Sequence, residues 1–391
     1  MFTATKNKSL LTTTTGALPR PSWYTANLRG LPLSQGFSQL AYREQHFDCL
    51  ACNVAAQHKA GIDIFVDGDA RLDDDVAGRG WVSYATERMS GIGQPRVEVP
   101  PAGFMKDKGP GDIMFEVIET RMTPPVDGKI DKAWLELDRA YKAIAPMTDK
   151  PVKIGSISAQ ILALMLTDRH YNDRLELLFD MSVALNREYH ALADAGAPIV
   201  QVEEPAIHQI INLPDATIKP DKWVEAFNAE VKGLRGKTEV WCHTCWGSPA
   251  AQRVASRDQS YKNALPYFDQ LDVDVITFEA AFNRGMDFEA IGKGISKDKK
   301  IAIGVISHRT LQVERPEEVA DLVRLALKWI EPERLMLSSD CGFGRQGISR
   351  MHALYKMVAL SRGANIVRKE LGLPENDIPA ADPKLSMVPL A

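Results

Sequence analysis

Short apolar, β-branched runs alternate along this chain with longer stretches in which apolar residues recur every three or four positions. The short runs fit strands buried on both faces, and the long stretches fit helices with one apolar side. Eight strands are predicted, over residues 10–15, 62–66, 152–156, 198–202, 238–242, 273–278, 301–306 and 334–337. Between them the spacing predicts helices. Residues 173–195 carry Leu175, Leu178, Phe179, Met181, Leu185 and Tyr189 and stop at Ala195-Gly196. Residues 316–330 start with Pro316 in the first turn and Glu317 and Glu318 at the positive end. Val319, Leu322, Leu325, Ala326 and Trp329 make their apolar face. A third helix covers 349–367, with Leu354, Met357, Val358 and Ile366.

This βα alternation predicts an α/β fold, a TIM (β/α)8 barrel occupying residues 1–391 as a single unit. An open doubly wound sheet is the alternative. The positions of the polar residues favour the barrel. Asp67, Asp69, Glu203, Glu204, His243, Cys245, Glu279, His308, Asp340 and Cys341 each follow a strand segment, and only a closed barrel brings all those ends to one mouth. The stretch 72–151, after the second strand, is too long for a simple crossover. It is rich in Gly, Pro and Lys and is read as an inserted hairpin and helical subdomain, with a strand at 113–118 and a helix at 131–144. The proline-containing residues 372–391 form an extended tail.

Composition narrows the function. With 45% apolar and 25% charged residues, the chain is of ordinary globular type. Its 47 basic and 51 acidic residues give a net charge of −4 with no basic stretch, which argues against a general nucleic-acid binder. No run of 18 apolar residues is present, so no membrane span is expected. The N-terminus also lacks the apolar core of a signal peptide, and a cytoplasmic setting follows. The five cysteines, an odd number, are expected to be free thiols. Cys49 and Cys52 have CxxC spacing but lie in a helical pattern without a partner pair. Cys242 should point into the helix layer.

The sharpest chemical signal is His243-Thr244-Cys245 at a strand end, with Glu279 after the next strand and Cys341 after the last. One nitrogen, two sulfurs and a carboxylate suit Zn2+. Buried core is the competing reading of the His-x-Cys pair alone. Zinc held by two thiolates is a weak Lewis acid toward water but suits an incoming thiol, whose pKa it lowers. The predicted chemistry is therefore S-alkylation of a small thiol.

Four stretches resemble the cobalamin-independent methionine synthase family, in its catalytic C-terminal barrel. They are TTTTGALPRP from Thr12, IVQVEEPAI from Ile199, HTC with VITFEA, and ERLMLSSDCGFGRQG from Glu333. The resemblance implies zinc on His243, Cys245, Glu279 and Cys341. It implies an acidic pair, Asp69 and Glu203, for the amino group of homocysteine, with the Glu and Asp usual at these two positions exchanged. The serine that helps hold the substrate carboxylate in the family falls on Ala17. The family's catalytic histidine, in a DIHS stretch, is matched one position early by His308 in Ser307-His308-Arg309-Thr310, and Arg309 takes its place in register. His308 is a candidate proton donor or leaving-group acid.

The folate-stacking tryptophan expected after 155–158 is absent, as is the family's N-terminal barrel. The expected donor is therefore a methylated corrinoid or a corrinoid protein rather than methyl-folate. The leading expectation is a cytoplasmic zinc methyltransferase forming methionine from homocysteine. The nearest rival is an epoxyalkane:coenzyme M-type transferase, whose sulfonate would call on Arg20, Arg71, Arg309 or Arg345. A zinc-stabilised thiol-binding or sensing protein without catalysis is the non-enzymatic rival.

Overall fold

The computed structural model describes residues 3–73, 79–93, 125–203, 205–211, 218–247, 259–344 and 348–382. The predicted strand at 113–118, Glu204, Arg345 and residues 383–391 of the tail lie outside the described residues. Seven parallel strands follow one another in spatial and sequence order: β1 (Phe65–Val66), β2 (Val152–Ile157), β3 (Ile199–Glu203), β4 (Glu239–Thr244), β5 (Val275–Phe278), β6 (Lys300–Ile306) and β7 (Leu335–Ser339). Neighbours joined in chain order by crossover helices produce a curled sheet, as in a TIM barrel.

The predicted first strand is extended but not a regular ladder. Among the described residues its one bridge is Thr12 with Leu337. Even so, it fills the gap between β7 and the approach to β1. Thr13 N donates to Leu337 O at 2.9 Å, Leu337 N to Leu11 O at 2.9 Å, and Ile64 N to Thr12 O at 3.0 Å. Side chains replace the missing ladder bonds. Thr12 N donates to Asp63 Oδ2, Thr13 Oγ1 to Ile64 O, and Thr15 N to Ser339 Oγ. A threonine run can close a barrel in this way because its hydroxyls compete with backbone partners.

Helix limits follow local chemistry. Arg174–Asp194 begins on Asp173, whose carboxylate accepts from Leu175 N. Arg350–Glu370 begins on Ser349, whose hydroxyl accepts from His352 N. The helix predicted from 131 starts only at Leu137, since Glu136 adopts φ 53°. The helix predicted over 316–330 ends at Ala326. Among the described residues, no helix is long and apolar enough to cross a membrane.

Inside the barrel, Leu11, Ile64, Ile199, Trp241, Val275, Ala302 and Met336 form one apolar floor. Beneath it the N-terminus is tied down by buried Glu239. Oε2 accepts from Thr3, Ala4 and Thr5 N, and Oε1 accepts from Thr5 Oγ1 and Trp241 Nε1. Hydrogen bonds to a buried charge are worth about 1.5–3 kcal/mol each. Glu239→Gln is expected to lower the unfolding free energy by about 2 kcal/mol in urea titration. Residues 3–5 should become protease-accessible; an unchanged midpoint would remove this anchor from the account.

Candidate metal centre and substrate pocket

β4 ends by pointing His243 inward, and the turn that follows brings Cys245 beside it; β7 delivers Cys341 from across the mouth. The donor atoms of these three buried residues lie within 4.8 Å of one another. The sulfurs are 3.5 Å apart, with Cys245 donating to Cys341. That bond and a second from His243 hold the Cys341 thiol well below its ordinary pKa, against the opposing effect of burial. Gly247 N donates to Cys245 Sγ at 3.2 Å. On the imidazole, Nδ1 bonds Thr277 Oγ1 at 2.6 Å, the kind of partner that orients a metal-ligating ring. A nitrogen and two sulfurs converging in a buried pocket match the ligand preference of Zn2+ with an open position.

Glu279, the fourth predicted ligand, is placed differently. It groups with His308 and Asp340, whose donor atoms also lie within 4.8 Å of one another. Its Oε2 accepts from Trp246 N at 2.9 Å, and its Oε1 is paired with the Arg309 guanidinium. Burial pushes the Glu279 carboxyl up and Asp340 adds to this, while Arg309 opposes both. Asp340 caps the turn after β5 by accepting from Ala280, Ala281 and Phe282 N. His308 is buried, with Nε2 at 3.1 Å from Gly247 O and no hydrogen bond to Nδ1 among the described residues. Arg309→Met should leave Glu279 buried without its cation. A loss of about 3 kcal/mol is expected by urea titration, since breaking a buried pair costs about 3–5 kcal/mol. Stability equal to the parent protein would mean that the pair is not formed.

The carboxylates Asp69 and Glu203 meet over the backbone of Gly16. A Cβ on that glycine would lie 2.9 Å from both Asp69 Oδ2 and Glu203 Oε1, so only glycine admits the pair. Asp69 adopts φ 52°, with its N–H donating to Asp67 Oδ1. This left-handed turn aims its side chain inward. Arg71 bridges Asp67 at 2.9 Å and Asp69 at 3.2 Å and donates to Gly155 O. Glu203 accepts from Trp81 Nε1 at 2.8 Å and Gln201 Nε2 at 2.9 Å. Glu203 and His243 are partners in the β3–β4 register, so the acidic pocket and the sulfur-rich centre share one wall.

Two predicted substrate residues sit at the edge of this arrangement. Arg20 is spent on Asn27 Oδ1, Ala26 O and the face of Tyr24. Ala17 packs by its backbone against the Cys341 loop, its O accepting from Phe343 and Gly344 N. Cys242 is buried in the outer core, Cys49 is buried with its thiol pushed up to about 12 by desolvation, and Cys52 is exposed. All five cysteines are free thiols. Sequence reasoning missed Trp81, Thr277 and Lys153. Trp81 lay in the stretch read as an insertion, and Thr277 carries no signal beyond its place in a strand. Lys153 could have been found, as a charged residue within an otherwise uncharged strand.

The family model for the catalytic domain of cobalamin-independent synthase matches residues 112–362. A methionine synthase of Saccharolobus solfataricus is 29% identical over 366 residues, covering 93% of this chain and 96% of that protein. The structure of a B12-independent methionine synthase from Shewanella sp. W3-18-1, in complex with selenomethionine, superposes with a TM-score of 0.72. It is 25% identical and covers 93% of this chain and 99% of that one. A methyltransferase from Methanosarcina mazei shares the fold, with a TM-score of 0.54 at 13% identity, covering 92% of this chain and 94% of that one.

Proposed function

Since the chain belongs to the cobalamin-independent methionine synthase family by its catalytic domain, we propose that it transfers a methyl group to the sulfur of homocysteine, forming methionine. The observation that carries this reading is the shared wall of His243 and Glu203, which sets a thiol-binding centre beside an ammonium-binding one. Zinc would be held by His243, Cys245 and Cys341, and Glu279 would complete the set on release from Arg309. When bound, it lowers the pKa of a substrate thiol and presents it as thiolate.

The chain's own residues do the rest. Asp69 and Glu203 pair with the substrate ammonium, and Arg71 and Trp81 fix those carboxylates in place. Ala17 and the Cys341 loop bound the pocket on the side of the substrate carboxylate. His308, whose Nε2–H donates to Gly247 O, leaves Nδ1 as the atom that can take up a proton. Exclusion of water by the buried walls keeps the thiolate reactive and aligned. Sulfur then attacks the methyl carbon in line. The new C–S bond forms as the bond to the donor breaks, and the donor keeps that bond's electron pair.

A methylated corrinoid, free or on a protein, is the proposed donor. The helix Ala159–Met165 offers no tryptophan for a folate ring, and its buried Gln160 is committed to Trp223 O and Ala206 N. A sulfonate-bearing thiol is disfavoured because Arg20, Arg71 and Arg309 are each already paired. The reduced thiols suit action in the cytoplasm.

The test is product analysis by mass with zinc-loaded protein. Homocysteine and coenzyme M are crossed with methylcobalamin, methyl-folate and a short epoxide. Methionine from homocysteine and methylcobalamin is expected. A thioether from coenzyme M and epoxide would replace this reading with the alkyltransferase one.

A further inference from the structure

The apolar floor of the barrel draws a residue from the closing segment and from the walls around β1 and β3 to β7, but not from β2. There the inward position is Lys153, register partner of Ile199. It is a costly occupant. The side chain is 1% exposed, and Nζ has no hydrogen-bond partner among the described residues. A buried ammonium lowers stability unless something compensates it. Two features compensate this one. Nζ lies 4.7 Å from the centroid of the Trp241 ring, whose Nε1 is fixed by Glu239. The second is the charge of the pocket carboxylates Glu203 and Asp69.

Strand alternation puts Gly155 on the same face as Lys153, two residues nearer the mouth. A Cβ at Gly155 would lie 2.8 Å from Glu203 Oε1, so the Glu203 carboxylate rests directly on that glycine. The missing side chain opens the space between the lysine and the acid. The charges around the lysine agree with this. Burial pulls the ammonium down to about 7, and Glu203 and then Asp69 are the charges that hold it up.

We propose that Lys153 is a positioning residue for the amino group of the substrate: from beneath, it supplies the counter-charge that holds the Glu203 and Asp69 carboxylates together over Gly16 before substrate binds. The proposal rests on the reading of those carboxylates as an ammonium site. Two buried carboxylates over one glycine repel unless a cation offsets them. Arg71 already serves Asp67 and Asp69. Lys153, whose Nζ makes no hydrogen bond among the described residues, offsets Glu203 through space, so the pocket keeps a net negative charge and selects a thiol that carries an ammonium. Without Lys153 the two carboxylates draw apart, and the substrate must bring them together.

The experiment compares homocysteine with its desamino analogue, γ-mercaptobutyrate, as KM and kcat with methylcobalamin, in zinc-loaded wild type and Lys153→Met. Methionine matches lysine in length and keeps the floor filled. The wild type is expected to prefer homocysteine. In Lys153→Met the homocysteine KM should rise by about tenfold or more, with kcat within about threefold and the KM for the desamino thiol unchanged. Lys153→Arg should recover part of the preference. An unchanged KM ratio in Lys153→Met would overturn the proposal while leaving the carboxylate site intact. So would an equal loss for both thiols, which marks a packing role. A wild type with no preference between the thiols would instead overturn the ammonium site itself, and the proposal with it. Should the methionine variant fail to fold, Lys153→Gln, uncharged and polar, carries the same comparison.

Discussion

Replacing Cys341 by alanine is expected to remove bound zinc and cut methionine formation by about a thousandfold or more. Cys341 is the meeting point of the centre. Cys245 donates to it across 3.5 Å, and it lies on the loop that packs against Thr15 and Ala17. Deleting its sulfur removes one of the two thiolates and leaves only Cys245, His243 and the Arg309-paired Glu279, a set without the soft donor pair of the centre. The fold should persist, because the side chain contributes little apolar area to the core. Metal content after dialysis and methionine yield by mass, measured on the same sample with its thermal midpoint, give the answer. A variant that kept one equivalent of zinc would remove Cys341 from the ligand set. Cys245→Ala should behave alike.

Replacing Glu203 by glutamine is expected to raise the homocysteine KM by about 100-fold with a smaller change in kcat. The amide keeps the volume and can still accept from Trp81, but it has no charge to pair with an ammonium. Losing one partner of a buried charged hydrogen bond costs about 2–5 kcal/mol, so about 100-fold lies within the range. The KM for γ-mercaptobutyrate should stay the same or fall. Steady-state kinetics on the two thiols decide the matter, and equal effects on both would show that Glu203 shapes the pocket without recognising the amine.

Much of this architecture was readable from residue order. Six predicted strands recur within a residue or two, because runs such as Ile301–Ile306 are apolar on both faces and have only one good use in an α/β chain, while the one over 62–66 shrinks to Phe65–Val66. The clustering of His243, Cys245 and Cys341 was legible because residues that follow strands meet at a barrel mouth. Glu279 was legible as a site residue, but its partner was not. Pairing with Arg309 depends on how the loop after β6 folds back, which no spacing encodes. Trp81 was hidden because an aromatic residue in a long connection has no periodic signal, and its bond to Glu203 joins residues 122 apart in the chain. The first strand was overestimated because a threonine run scores as β structure whether or not its hydroxyls divert the backbone.

The closing segment also has a bearing on synthesis. Thr15 takes its place only when Ser339, 324 residues later in the chain, is available to accept its N–H. The same segment supplies Gly16, over which Asp69 and Glu203 meet, and the Thr15 hydroxyl 3.5 Å from His243. A nascent chain can build most of the wall as it emerges, but it cannot assemble the pocket until β7 has been made. Contacts of such long range form late and slowly. Closure of the pocket is therefore a late event in folding, and a chain that stops before β7 is expected to lack the Cys341 side of it.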